Sequence, residues 1–192
     1  MSDIIDGSRF GNWMISYKGR RLYPLDLRPE DIDIEEIAHS LSNLCRFGGH
    51  CKQFYSVAQH SVLVSNQCSP ENRLVGLLHD ATEAYCGDIV RPLKQHLPGF
   101  GIIENGVWTA IAAKFEIPFA IPEEIAREDA RALLAEKRDL LTHHEHKWEF
   151  PQCAFPDLIP NPETIEPWPP RNAESVFLSV FETLSFIKRV SV

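Results

Sequence analysis

The sequence predicts an all-α protein, a helical bundle preceded by one small N-terminal β-hairpin. Three observations lead there. Apolar residues recur at helical spacing near both ends of the chain: Ile34, Ile37, Ala38, Leu41 and Leu44, then Val176, Phe177, Val180, Phe181, Leu184 and Ile187. Capping signals precede several such stretches. Alternation suited to a strand is confined to Trp13–Tyr23, with Lys18-Gly19 at the turn.

The elements follow in order. Asp33 is placed to cap the first helix, with Glu36 at its third position as in a capping box. Gly48-Gly49 ends that helix. A second helix spans about Ser56 to Asn66, with Val57, His60 and Val64 on one face, so His60 points inward. Ser69-Pro70 reads as a cap with proline at the first helical position, opening the helix that carries His79. After Pro92, Pro98 and Gly99, helices are expected near Ile103–Phe115 and Pro122–Leu141. Residues 150–170 hold half of the chain's 14 prolines and read as an extended connector. A last helix covers about 173–188. The Phe177 and Phe181 stripe on it is either core or a subunit interface. The whole of 1–192 is expected to be one domain, with its core at about 34–141 and no internal repeats.

A net charge of −8 repels a nucleic-acid backbone, so no polymeric nucleic acid is expected as partner. A small anion is compatible, because a metal ion and local arginines reverse the potential inside a pocket. No stretch approaches the roughly 20 apolar residues of a membrane span, and Asp3 and Asp6 replace the basic start of a signal segment. Cys45, Cys51, Cys68, Cys86 and Cys153 contain no C-x-x-C and read as reduced thiols. A cytoplasmic location without membrane attachment follows, and a homo-oligomer, dimer or larger, is expected.

The strongest chemical signal is His79-Asp80, which ends an apolar run and is followed by Glu83 and Asp88. On a continuous helix His79, Asp80 and Glu83 share one side. Upstream, Tyr55-Ser56-Val57-Ala58-Gln59-His60-Ser61 places a second imidazole on a helix. Downstream, Arg127-Glu128-Asp129-Ala130 places another carboxylate on a third. Taken singly, an inward His60 is ordinarily a core residue with a satisfied hydrogen bond, and Asp129 an ordinary surface acid.

Together, His, His-Asp and Asp in that order resemble the ligand pattern of the HD superfamily of metal-dependent phosphohydrolases. Arg46-Phe47-Gly48-Gly49-His50 and Gly87-Asp88-Ile89-Val90-Arg91-Pro92-Leu93-Lys94 extend the likeness over about Ile34–Leu141. These segments resemble the bacterial 5'-deoxynucleotidase branch and phage relatives that hydrolyse dNTPs. The resemblance implies an HD-domain bundle holding one divalent ion (Co, Mn, Fe, Zn or Mg) on His60, His79, Asp80 and Asp129, a donor set compatible with all five.

It further implies that Glu83 handles the attacking water and that Asp88 contacts substrate or orients that water. Arg46 would be a two-pronged phosphate clamp, although a cation closing a helix is its plain alternative. Phe47 stands where the branch typically has Trp against the sugar and base, and Gln59 where it has Glu. His50 either lines the pocket or packs in its loop. Arg91 and Lys94 either attract further phosphates or are surface charges.

The expected function is release of phosphate from deoxynucleoside 5'-monophosphates, with a small nucleotide as partner. The rivals are a dNTP triphosphohydrolase releasing triphosphate and a non-catalytic, nucleotide-binding regulatory HD protein. His143-His144-Glu145-His146 reads as an exposed helix end, not a metal tract. Cys45 and Cys51 around His50 lack the partners of a zinc site.

Overall fold

A computed structural model describes residues 9–146, 148 and 154–190. The first part of the Pro-rich connector, 150–153 with Cys153, lies outside the described residues. The protein is mostly helical, with a two-stranded antiparallel hairpin near its N-terminus. No described helix is long and apolar enough to cross a membrane.

The hairpin is shorter than its sequence suggests. Strand β1 is Met14–Ile15 and β2 is Arg21–Leu22, with Met14 opposite Leu22 and Ile15 opposite Arg21. Gly19 takes the left-handed conformation that the turn requires, at φ 76°. Helix α1, Ile34–Asn43, starts where expected: the Asp33 carboxylate accepts from the Glu35 N–H at 3.0 Å. Glu36 does not complete a capping box. Its buried carboxylate instead accepts from Ser16 Oγ at 2.5 Å, from the Lys18 N–H at 3.1 Å and from the Arg20 guanidinium. The sequence signal for a cap is therefore used to fasten the hairpin to α1.

Beyond α1 the chain makes a tight turn at Arg46–Gly49. Residues 44–46 then pair with 55–57: Arg46 N–H donates to Tyr55 O at 2.9 Å and Val57 N–H to Leu44 O at 3.1 Å. This bridge sets Arg46 beside the start of α2, Val57–Gln67, whose cap is the Ser56 hydroxyl accepting from the Gln59 N–H at 3.1 Å. Helix α2 is buried nearly all round, as its small and apolar residues require.

The next helix corrects the expectation. Helix α3 is Arg73–Leu78 with Asn72 before it, and Ser69-Pro70 belongs to the preceding turn. The Ser69 hydroxyl and N–H both donate to Glu124, each at 2.7 Å, so the expected capping oxygen is committed to another helix. Gly76 permits close packing of α3 on α2, since a Cβ there would lie 2.9 Å from Cys68 Sγ and 3.3 Å from Ser65 Cα. His79-Asp80 also does not ride on a continuous helix. Ala81 N–H bonds to Leu78 O and Glu83 N–H to Asp80 O, tightening the backbone into three-residue turns before α4, Glu83–Cys86.

A short α5, Arg91–Lys94, follows. Helix α6, Phe100–Phe115, begins earlier than expected, directly after left-handed Gly99. Helix α7 is Glu123–Leu140 and α8 is Pro170–Val190. Helix α8 packs on α1, α2 and α3. Phe177 is fully buried, and Phe181 meets Phe115 edge-on at 5.1 Å, so the aromatic stripe is core. The connector before α8 is held by Gln59, whose amide donates to Glu166 O and accepts from the Trp168 N–H, both at 2.8 Å. His143–His146 lies beyond the end of α7, not on it, and is mostly exposed.

Candidate metal centre

Two helices and the turn after a third bring the expected ligands together. His60 comes from the middle of α2, His79 and Asp80 from the tightened turn after α3, and Asp129 from the first half of α7. One ligand atom from each of His60, His79 and Asp129 lies within 4.8 Å of the others, a group that could hold a metal ion. Asp129 Oδ1 is 3.2 Å from His60 Nε2. Asp80 Oδ2 stands 3.4 Å from His60 Nε2 and 3.3 Å from His79 Nε2, beside the same space.

Both imidazoles are oriented from behind. His60 Nδ1 is 2.7 Å from Glu136 Oε1, and His79 Nδ1 is 2.7 Å from Gly76 O. A carbonyl oxygen only accepts, so Nδ1 of His79 carries the proton and its Nε2 presents a lone pair. In the neutral form of the ring, which a metal ion requires, the Glu136 carboxylate does the same for His60. The two Nε2 atoms are shielded from solvent and have no hydrogen-bond partner. Unpaired buried acceptors are costly in a folded core, and a cation between them and the carboxylates would satisfy both. The donor set therefore fits a divalent ion.

The electrostatics favour positive charge here. Burial would raise Asp129, but the His60 ring beside it, and then the His79 and Arg46 charges, hold it well below the usual carboxylate range. Burial and Arg46 oppose protonation of His60, yet Glu136 and Asp129 outweigh them and push it up to about 10. Glu83 goes the other way: burial first, then Asp80 and Asp88, raise it far above an ordinary Glu. Asp88, half-buried after Gly87, is raised chiefly by burial. Two carboxyls driven in opposite directions beside one cluster allow one to remain a ligand and the other to exchange protons.

Arg46 reaches this cluster across the bridge to α2. Its guanidinium is 3.1 Å from Glu136 Oε2 and 3.5 Å from Asp80 Oδ2. The Phe47 ring lies 5.5 Å from it, on a backbone with φ 57° that non-glycine residues seldom adopt. A cleft of about 400 Å³ opens on the other side, with His79, Asp80, Thr82 and Glu83 facing Trp108, Phe119 and Ile121. Lys94 lines this cleft, its ammonium 2.6 Å from Glu104. Arg91 is exposed and does not line it, and His50 is exposed on its loop outside the metal-binding group.

Sequence reading missed Glu136 and the wall formed by Glu104, Asn105, Trp108 and Phe119. One signal for Glu136 was available: it follows Asp129 by seven residues, two turns along the same face of α7. The cleft wall carried none, because α6 meets the His-Asp turn only in the folded chain.

Fold and cluster together define a mostly helical protein with a candidate metal centre. The chain belongs to the family of the uncharacterized protein YfdR of Escherichia coli (strain K12), with 36% identity over 176 residues, covering 91% of this chain and 96% of that one. It is also 37% identical over 125 residues to an uncharacterized protein of Rhodobacter capsulatus, covering 60% of this chain and 64% of the other. No family model matches the chain.

Proposed function

We propose that the protein is an HD-type, metal-dependent phosphohydrolase that releases phosphate from deoxynucleoside 5'-monophosphates. The observation that carries this reading is the convergence of two shielded, unpartnered imidazole nitrogens with Asp80 and Asp129, beside the buried Glu83 and the Arg46 guanidinium.

His60, His79, Asp80 and Asp129 would hold one divalent ion, of Co, Mn, Fe, Zn or Mg. When bound, such an ion lowers the pKa of water and polarises phosphoryl oxygens. Arg46 offers its N–H groups to the phosphate and offsets charge that grows as water attacks phosphorus. Glu83 is a stronger base once ionised, because its proton affinity is raised, and takes a proton from the attacking water. The P–O5' bond breaks, and the leaving oxygen takes up the proton that Glu83 removed from the water, giving the nucleoside and restoring the Glu83 carboxylate. Asp88, close enough to Glu83 to raise its proton affinity, orients that water or the substrate.

Charge in the cleft favours a monophosphate over a triphosphate. Asp80 and Glu104 face it against Lys94, which Glu104 already pairs, and Arg91 does not line it. Two further phosphates would meet carboxylates. The Phe47 ring beside Arg46 supports a preference for the deoxy sugar. A 2'-hydroxyl buried against it without a partner costs about 1–3 kcal/mol, or roughly tenfold to a hundredfold.

A screen of dNMPs, NMPs and dNTPs with the five metals, resolving phosphate from triphosphate, tests the reading. Phosphate from dAMP in preference to AMP is expected. Triphosphate from dNTPs would favour the rival hydrolase. Equal use of AMP and dAMP would remove the deoxy assignment, and no turnover at all would point to a binding protein.

A further inference from the structure

We infer that Glu136 is a positioning residue that links the metal centre to the phosphate clamp, so that one buried carboxylate sets both. The inference rests on the reading of Arg46 as the residue that meets phosphate.

Glu136 has no exposed surface. Its two oxygens are divided between two partners: Oε1 lies 2.7 Å from His60 Nδ1 and Oε2 lies 3.1 Å from Arg46. Neither partner is near it in sequence, and each has a second task. The other nitrogen of His60 faces Asp80 and Asp129. The other amino group of Arg46 reaches toward Asp80, itself beside both imidazoles. A carboxylate is planar and rigid, so displacing one oxygen displaces the other. Rotating Glu136 would therefore turn the His60 ring and release the guanidinium in one movement.

The placement on α7 reinforces this. Asp129 enters the cluster directly, and Glu136, two turns later on the same face, enters it through His60. Helix α7 thus fixes the ligand set at two points. A carboxylate behind a metal-binding imidazole fixes the tautomer, and its removal typically weakens metal binding about 10–100-fold. Here the same removal also frees the arginine, which separates Glu136 from a carboxylate serving the metal alone.

The experiment uses the full chain, manganese as the ion and inorganic phosphate as the anion, with calorimetry as readout. Glu136→Gln should weaken manganese binding about 10–100-fold, and should weaken phosphate binding even at saturating manganese. Arg46→Ala should lose phosphate binding without the fall of about 10–100-fold in manganese affinity expected of Glu136→Gln. Glu136→Asp, which keeps the charge, should recover part of both. In the double variant Arg46→Ala/Glu136→Gln, the phosphate losses should not add. Unchanged manganese affinity in a folded Glu136→Gln would overturn the proposal, as would undiminished phosphate binding.

Glu136→Gln strips a buried arginine of its counter-charge, so a second arm uses the wild type. In zinc-loaded protein labelled with ¹⁵N-histidine, the proton of His60 should reside on Nδ1 as a slowly exchanging, downfield resonance. A proton on Nε2 instead would overturn the inference by itself. Should deoxynucleotides prove not to be substrates while these binding patterns hold, the proposed function fails and the positioning role stands.

Discussion

Two buried carboxylates, Glu36 and Glu136, look alike on paper: each sits on a helix, each is bonded to an arginine, and each stays ionised despite burial. Arg20 leads the groups that hold Glu36 low, and Arg46 and His60 do so for Glu136. Their surroundings differ in one respect. Around Glu36 the hydrogen bonds close on themselves: Ser16, the Lys18 N–H and Arg20 all end on its oxygens, and Arg20 spends another donor on Asp31 O. Around Glu136 they do not close. Arg46 Nε and His60 Nε2 remain buried without partners. A complete network is a fastening, whereas one with spare donors and acceptors aimed at a common space is a site. Burial and charge pairing do not tell the two apart; what does is that both partners of Glu136, His60 and Arg46, also face the carboxylates of the cluster.

The comparison breaks most visibly if the spare atoms are removed. His79→Ala should abolish bound metal, and with it turnover, while helical content persists because His79 lies outside the regular turns of α3 and α4. Metal analysis beside circular dichroism decides this, and wild-type stoichiometry would reject the ligand assignment. Next in size, Glu83→Gln should retain the metal yet lose about 10²–10⁴-fold in hydrolysis. Single-turnover rates at saturating metal check it, and near-normal rates would move the proton to another group.

The smallest effect belongs to the fastening. Glu36→Gln should cost about 1–3 kcal/mol of stability, the loss expected when a buried hydrogen-bonded group is left mismatched. The exposure of Arg20, at 39%, keeps the ionic part modest. Denaturant titration measures it. Metal content and rate should be untouched, and a fall in either would blur the distinction between the two carboxylates.

His60, His79 and Asp129 were legible as a candidate group because each sits in a short run whose order carries the pattern, and the structure brings those three within reach of one ion. The helices were legible from periodicity, and the hairpin turn from Lys18-Gly19. What local pattern could not reveal was competition for a side chain. Ser69 and Glu36 carry convincing capping signals, yet Glu124 takes the first and the hairpin takes the second. The continuous helix expected through His79 and Glu83 fails for a related reason. Its backbone tightens where the ligands must turn toward α2, and no propensity encodes that. The seven-residue spacing from Asp129 placed Glu136 on the right face of α7, but its role was not legible because it depends on residues 46, 60 and 136 meeting.

The hold of Gln59 on Glu166 and Trp168 has a consequence for biosynthesis. Chains emerge N-terminus first at about 5–20 residues per second. His60, His79, Asp80 and Asp129 are therefore all in place along the nascent chain before the segment that Gln59 grips has been made. Helix α8, whose Ala173 and Phe177 are fully buried in the core, arrives later still. Until then α2 has its ligand side but lacks its cover. The helix that carries His60 thus receives its last packing partner only when the final helix of the chain has been made.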